Sequence, residues 1–243
     1  TLTGSDNRVY FNYGKPIHLL YTHDELYVNY HKLSGDGSTL MIYGREKIIN
    51  SPLMIYIYTI TLNGTGSANL TQIGTFSKES YYDEIGMSLS YDGSLISFKS
   101  AYNSVQIHEW NGTTWNQKGS DIVDTSQNDP NVGMEFSIAF SDDSSSIVVG
   151  SSIDQYVYGN YFGRTSIYFW NGSDWSQRGT SIPSVSGSGS STHICVDINH
   201  DGTKVIMSQK AANSGGGLVR LCVFSNSIWT QLGYDISAGY DIS

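Results

Sequence analysis

Four acids of this sequence could do chemistry as pairs: Asp83, Glu84, Glu135 and Asp154. Two carboxyl groups that face each other can hydrolyse a glycosidic bond, one as general acid and the other as base or nucleophile. The four acids would have to converge in the folded chain, and nothing in their spacing singles out a pair. A carbohydrate-active hydrolase is therefore the alternative interpretation rather than the main one.

Other catalytic patterns are missing from the sequence. None of the six histidines has the H-x-x-x-H spacing of a metal site, and there is no G-x-S-x-G nucleophile elbow. The "SGSGSS" stretch at 186–191 precedes no helix signal, so it reads as a flexible loop rather than a phosphate cradle. The polar triplet "HDE" at 23–25 is typical of a solvated loop. We therefore expect a protein that is not an enzyme.

Composition favours strands and turns and excludes several partners. The 243 residues include 26 Gly, 18 Tyr and only 14% charged side chains, while 13% aromatics suffice to build a core. A net charge of −9 argues against nucleic acid, which needs clustered Lys and Arg. No apolar run approaches the roughly 20 residues that span a bilayer. The chain opens at "TLTGSDNRVYF" without Met, which we interpret as a processed product or an excised domain.

One phrase occurs four times along the chain. Its copies are "TLNGTGSANLTQIG", "EWNGTTWNQKG", "FWNGSDWSQRG" and "VFSNSIWTQLG", which end at Gly74, Gly119, Gly179 and Gly233. A Gln stands two residues before each of these glycines, at Gln72, Gln117, Gln177 and Gln231. Trp115, Trp175 and Trp229 precede the last three Gln residues by two positions, and Leu70 replaces Trp in the first copy.

A second phrase alternates with the first and sets the period. It centres on Asp36, Asp92, Asp143 and Asp201, which are about 51 to 58 residues apart. Within one unit, an alternating apolar run such as "MEFSIAF" predicts a strand, and Asp-Gly and Asn-Gly predict tight hairpin turns. Each unit therefore reads as a four-stranded antiparallel meander. A repeat of this length predicts a propeller or an array.

The predicted fold is an all-β propeller, a single domain over residues 1–243. Its four blades of about 55 residues cover approximately 27–74, 85–119, 133–179 and 193–233. Residues 1–26 and 234–243 would help to close the ring, because joining the termini in one blade removes exposed edges. A ring of five with an incomplete blade, or part of a longer repeat chain, is also compatible with the sequence.

The repeated Trp, Asn-Gly and Gln-x-Gly residues read as scaffold. A Trp on the outer strand would wedge between neighbouring blades, where its burial contributes about 2–3 kcal/mol. The long variable loops share the opposite end of the blades from the tight turns, which makes that end the better binding face. The candidate binding residues there are Tyr81, Tyr82, Tyr156, Tyr158 and Tyr161.

The alternation of "SLSYDGSLISF" with "FWNGSDWSQRG" resembles the FG-GAP-like and WD40-like (PD40-type) propeller repeats, over most of the chain. The resemblance implies the propeller fold and suggests a secreted or surface protein. In integrin-type FG-GAP blades, acids at alternate positions before a Gly bind calcium, and here only "DINHDG" approaches that loop, through Asp197, Asn199 and Asp201. Val205 stands where a further acid would be needed, so we expect a plain turn without calcium or another cofactor.

The cysteines and the N-x-S/T sequons say little about the function of the protein. Cys195 and Cys222 are too few for a disulfide framework, and we expect two buried thiols in neighbouring strands, with a bridge as the alternative. N-x-S/T sequons at Asn63, Asn69, Asn111 and Asn171 are weak candidates for glycosylation. Chance predicts nearly as many, and three of these Asn residues coincide with the hairpin turns.

We therefore expect a non-enzymatic propeller that is secreted or displayed on a cell or virion surface. Low charge and loops rich in Tyr, Ser, Asn and Gly are typical of adhesive surfaces. The expected partner is a protein, a glycan such as a surface carbohydrate, or another copy of the chain in a fibre, with neither nucleic acid nor a membrane span involved.

Overall fold

A computed structural model describes residues 8–10, 16–18, 26–46, 52–62, 68–77, 86–101, 103–124, 134–153, 163–184, 194–209 and 217–237. This part of the chain consists of strands and turns, and no helix in it could cross a membrane. β1 (Arg8–Tyr10) and β2 (Pro16–His18) form a separate antiparallel hairpin. The remaining strands form four sheets, which are the blades of a β-propeller, as predicted.

The first four strands of each blade form an antiparallel meander, paired in chain order. The first blade contains β3 (Leu26–Leu33), β4 (Thr39–Glu46), β5 (Met54–Leu62) and β6 (Ala68–Ser77). The second contains β7 (Met87–Leu89), β8 (Leu95–Ala101), β9 (Ser104–Trp110), β10 (Trp115–Gln117) and the short β11 (Ile122–Val123). The third contains β12 (Met134–Phe140), β13 (Ser146–Ile153), β14 (Gly163–Trp170), β15 (Trp175–Gln177) and the short β16 (Ile182–Pro183). The fourth contains β17 (Ile194–Ile198), β18 (Lys204–Gln209), β19 (Leu218–Ser225) and β20 (Ile228–Gln231).

Successive blades pack face to face along their first strands. β3 contacts β7, β7 contacts β12, and β12 contacts β17. One core lies between each pair of neighbours. Met41 and Ile57 meet Ile96 between the first two blades, Ile107 meets Ile147 between the next two, and Ile167 meets Met207 between the last two. Alternation along the strands supplies both faces of a middle blade, because neighbouring residues point to opposite sides.

The predicted turns form with the expected backbone conformations. Gly112 and Gly172 of the Asn-Gly turns have φ values of 97° and 101°. Where the third Asp turn has Ser144 in place of Gly, the serine itself takes φ 60°. In the last copy, which lacks Gly, Asn226 and Ser227 both adopt positive φ, as a type I′ turn requires.

The two-residue strands β11 and β16 extend the second and third blades beyond the predicted ends at 119 and 179. Each returns to the third strand of its own blade, with Ile122 opposite Val105 and Ile182 opposite Thr165. Both isoleucines are buried in the core that faces the following blade. These strands therefore complete the surface on which the next blade packs.

The cysteine expectation is wrong on two points. Cys195 lies in β17 and Cys222 in β19, so β18 separates them. Both thiols are free, and Cys195 is exposed while Cys222 is buried. The two thiols differ in exposure because side chains alternate along the strands. Cys222 faces the third blade, whereas Cys195 lies on the opposite side of the sheet.

Candidate functional site

The repeated aspartates brace the turns between the first and second strands. In three blades a serine hydroxyl donates to the Asp Oδ1, at 2.7 Å for Ser34–Asp36, 2.7 Å for Ser90–Asp92 and 2.6 Å for Ser141–Asp143. The same serine oxygen accepts a backbone N–H five residues later, at 2.9 Å from Thr39, 2.9 Å from Leu95 and 3.0 Å from Ser146. This network closes the turn on itself.

These carboxylates are poor candidates for acid chemistry. Burial pushes the pKa of Asp92 upward, but hydrogen bonds from the Ser94 N–H and from the hydroxyls of Ser90 and Ser94 outweigh it and lower the pKa below its usual value. The pKa of Asp143 is lowered in the same balance. A carboxyl group that is held ionised by several donors cannot deliver a proton at neutral pH.

In the fourth blade, Asn199 replaces the serine, and the predicted alternative calcium ligands serve the turn. Asn199 Oδ1 accepts the N–H groups of Thr203 and Lys204 at 2.9 Å and 2.7 Å. Asp201 Oδ1 accepts from Asn199 Nδ2 and from Thr203. Asp197 lies in β17 and accepts the N–H of Ile198 at 2.9 Å. These oxygens are committed to the backbone, so the set does not fit the six to eight oxygen ligands of calcium.

Each repeated Trp lies in a seat on the preceding blade. Trp175 Nε1 donates to the carbonyl of Lys118 at 2.8 Å, and Trp229 Nε1 donates to that of Arg178 at 2.7 Å. Lys118 and Arg178 are the middle residues of the Gln-x-Gly endings. The Gly that follows leaves room for the indole, because a Cβ on Gly119 would lie 3.0 Å from Trp175 Cδ1. The prediction of a Trp wedge between blades is confirmed.

The repeated Gln also has a structural role. The Gln side chain donates to the residue four positions later, at 2.7 Å for Gln117–Asp121 and 3.0 Å for Gln177–Ser181. Gln231 donates to Asp235 at 2.9 Å, and Asp235 also receives Arg220 Nε at 2.8 Å and Nη2 at 2.7 Å. Each contact fixes the segment that leaves the fourth strand.

The Asp124 cluster is a buried charged set that joins the second and third blades. It consists of Asp124, Ser151 and Arg164. Arg164 Nε donates to Asp124 Oδ2 at 3.1 Å, Arg164 Nη2 pairs with Oδ1, and the Ser151 hydroxyl donates to Oδ2. Asp124 and Ser151 are both buried. The Ser151 hydroxyl here donates to a carboxylate rather than to a histidine base of the kind that activates a serine nucleophile, and the geometry suits a clamp between blades.

His108 is a partly buried titratable group between the first two blades. Its ring lies 4.7 Å from that of Phe76 and 5.3 Å from that of Phe98, measured between centroids. Burial lowers the pKa of His108, and the nearby charge of Asp121 only partly opposes this. The imidazole is therefore neutral at pH 7 and packs as an aromatic side chain.

Several predicted residues lie outside the described part of the chain. They are Tyr81, Tyr82, Tyr156, Tyr158, Tyr161, Asp83, Glu84, Asp154 and Asn63, together with the side chain of Glu135. Asn69, Asn111 and Asn171 are exposed, the last two in hairpin turns. Among the residues that the structure describes, no three His, Cys, Asp or Glu side chains cluster to hold a metal ion.

The Asp124 cluster escaped sequence reasoning for a simple reason. Asp124 and Arg164 are 40 residues apart and neither recurs in the other blades. The sequence does contain one sign of this cluster, a difference between two copies of the repeat. "DIVD" of the second blade ends in Asp124, where "SIPS" of the third blade ends in Ser184. Asking which cation neutralises that acid would have directed attention to the next blade.

Comparison with known proteins gives the fold and little else. No protein-family model and no curated protein matches the chain. Among solved structures, it is similar to prolyl oligopeptidase B from Galerina marginata, with a TM-score of 0.50 and 10% identity over 89% of this chain and 29% of that one. An acylaminoacyl peptidase from Pyrococcus horikoshii gives a TM-score of 0.49 and 9% identity over 88% of this chain and 33% of that one. The tricorn protease gives 0.39 and 11% over 82% and 16%.

The matched regions are β-propeller domains, so the chain belongs to the class of β-propellers. It spans no more than a third of the length of these three proteins, at 33%, 29% and 16%. At 9–11% identity the likeness concerns the fold alone.

The expectation of a non-enzymatic protein for binding, adhesion or self-assembly is wrong by this comparison. The three solved structures compared above are a tricorn protease, an acylaminoacyl peptidase and a prolyl oligopeptidase. The repeated residues of a propeller build its blades, and a fold of this kind does not by itself specify a function.

Proposed function

We propose that this chain is the propeller part of a hydrolase, and that the substrate is a peptide. The supporting observation is the likeness to prolyl oligopeptidase B, which covers 89% of this chain but only 29% of that enzyme. In this proposal the bond-breaking groups belong to polypeptide outside residues 1–243, and the propeller contributes a rigid framework beside them.

The contacts of the described residues support this division of labour. Several described serine hydroxyls donate to carboxylates of the turns and of the Asp124 cluster, namely those of Ser34, Ser90, Ser94, Ser141, Ser145 and Ser151. Hydroxyls that are committed to structural carboxylates are poor nucleophiles, because activation requires an adjacent base. A rigid array with such committed groups is suited to positioning a substrate rather than to cleaving it.

The test uses the protein from its natural source. An antibody raised against the 243-residue chain would isolate the native polypeptide, which would be assayed on internally quenched peptides and on aryl glycosides. We expect peptide hydrolysis by the native polypeptide and none by the isolated 243-residue chain, which is the matched control. Hydrolysis of glycosides alone, or of neither substrate, would contradict the proposal.

We also propose that the blades belong to the FG-GAP-like or WD40-like (PD40-type) repeats. The repeated Asp turn and the Trp at the start of the fourth strand support this assignment. A profile built from the four repeats of this chain should then detect those families; detection of unrelated repeats only would contradict the assignment.

A secreted or surface location is a separate proposal. The sequons at Asn111 and Asn171 support it, since both side chains are exposed in turns. Their amide nitrogens donate to Thr114 at 3.2 Å and to Ser176 at 2.6 Å, bonds that an attached glycan would alter. Mass spectrometry of the native protein should find glycans at these sites, and unmodified peptides from an intracellular fraction would contradict it.

A further inference from the structure

We propose that the outer face of the fourth blade is the docking surface for a fifth blade of the same polypeptide, whose fourth strand begins with Trp. The outer face is the side of β17–β19 that points away from the third blade. It contains Cys195, Asp197, Ile206 and Leu221, with Ile236 beside it. This inference is independent of the proposed hydrolase function.

The first argument is an empty tryptophan seat. Gly74, Gly119 and Gly179 each hold the Trp of the next blade, since a Cβ on them would lie 2.6 Å, 3.0 Å and 3.1 Å from its Cδ1. Gly233 has the same place in the repeat and the same positive φ, 77°, as Gly119. No described atom lies within 4 Å of the corresponding Cβ position on Gly233. The fourth blade therefore carries the seat without an indole in it.

An isoleucine stands three residues after Gly119, Gly179 and Gly233. Ile122 and Ile182 are 6% and 8% exposed, because the next blade covers them. Ile236 follows Gly233 at the same distance, and its backbone pairs with Val219 at 2.8 and 2.9 Å, like β11 and β16 with their blades. Its side chain is nevertheless 73% exposed. The fourth blade thus forms the same segment as the second and third, but its isoleucine is left exposed.

The outer face of the fourth blade also carries an apolar pair on its middle strands. In the third blade, Val148 and Ile167 pair across β13 and β14 and are fully buried under the fourth blade. Their counterparts in the fourth blade are Ile206 and Leu221, which pair across β18 and β19. These are 43% and 36% exposed. Apolar side chains have been retained at the positions that form the interface elsewhere in the array.

The chain does not offer a second copy of itself as a suitable occupant. A head-to-tail neighbour would present the outer face of its first blade, but Leu40, Ile42, Tyr56 and Tyr58 on that face are already buried. That blade also has Leu70 at the Trp position. A blade with its own Trp, in continuity with the three existing interfaces, is the chemistry that fits the empty seat.

Cys195 provides a built-in reporter for the test. Its thiol is exposed on the outer face, whereas Cys222 is buried on the other side of the sheet. A tandem duplication of residues 185–237, with both added cysteines replaced by serine, would place a new blade after the fourth. We expect the reaction of Cys195 with a bulky maleimide to slow by roughly tenfold or more, as an interior position opens rarely, and the Tm to rise.

Two matched controls show whether Cys195 is protected by a docked blade or only by the presence of the added residues. Trp229→Ala in the added copy alone, or Gly233→Val in the original fourth blade, should restore the reactivity of Cys195. A second variant that adds residues 134–184 instead covers the case in which the first addition does not fold.

Two results would overturn the proposal. One is a Cys195 that stays fully reactive in both additions. The other is a concentration-dependent dimer of the unmodified chain in which Cys195 is protected, since the occupant would then be a second copy.

Discussion

Replacing Trp175 by alanine should destabilise the protein more than any other single change between the second and third blades. Its side chain is only 8% exposed. Its ring centroid lies 5.5 Å from that of Trp170 and 6.4 Å from that of Phe140. Truncating a buried Trp to Ala costs about 3–5 kcal/mol, and this includes the loss of the bond to the Lys118 carbonyl.

A conservative variant divides this cost. Trp175→Phe keeps most of the buried aromatic surface but leaves the Lys118 carbonyl without its indole donor. An unmade hydrogen bond at a buried group costs about 1–3 kcal/mol, so Trp175→Phe should fall well short of Trp175→Ala. Thr230→Ala, at an exposed position of β20, is the matched surface control and should change stability by less than about 0.5 kcal/mol.

Urea unfolding at 25 °C, followed by far-ultraviolet circular dichroism and by tryptophan fluorescence, measures these differences. In a repeat array the interface terms couple neighbouring units, so loss of one interface should also separate the two transitions. If Trp175→Ala cost less than about 1 kcal/mol with an unchanged urea dependence, the indole would be a surface group and the seat argument would fail.

Three further changes test other contacts. Burial raises the pKa of Asp143, but hydrogen bonds outweigh it and lower the pKa below its usual value. The carboxylate therefore stabilises the fold above the unfolded pKa of about 3.9, and this stabilisation is lost as the pH falls through the folded pKa. Asp143→Asn should lower the Tm at pH 7 and make the Tm fall less steeply as the pH is lowered. Burial lowers the pKa of His108. Because the folded state then resists protonation of the imidazole, stability should fall as the pH drops below about 6.5. His108→Gln should remove this fall from a plot of Tm against pH, and an unchanged plot would show that His108 does not cause it. Asp124→Ala leaves Arg164 unpaired and should cost about 3 kcal/mol in urea unfolding, whereas adding Arg164→Ala should cost little more; full additivity in this double-mutant cycle would show that the two side chains do not interact.

The repeat made most of the fold predictable. Asn171-Gly172 marks a turn, Trp175 marks a fourth strand and Asp143 marks the first hairpin, because each residue type satisfies a local backbone requirement. The short strands β11 and β16 escaped prediction because two residues are too few for an alternating pattern. Their signal was positional, an isoleucine three residues after Gly119 and Gly179.

Side-chain clusters between blades were less predictable than the blades. The exposure of Cys195 depends on which side of the sheet is left without a neighbour, and composition does not encode that. The Asp124 cluster forms between one acid and one base that appear once each in the repeat. The proposed role beside a hydrolase has no signal in the repeat, because the repeated residues build and join the blades.

The seats of Trp175 and Trp229 are made from a backbone carbonyl and a glycine without a side chain, and this has an evolutionary consequence. The carbonyl belongs to Lys118 in one blade and to Arg178 in the next. Because the carbonyl belongs to the backbone, the side chain at that position can change without loss of the hydrogen bond. A newly duplicated blade would therefore find a seat for its Trp on the blade before it. Lineages could thus lengthen or shorten such a chain by whole units while the copies diverged beyond easy recognition.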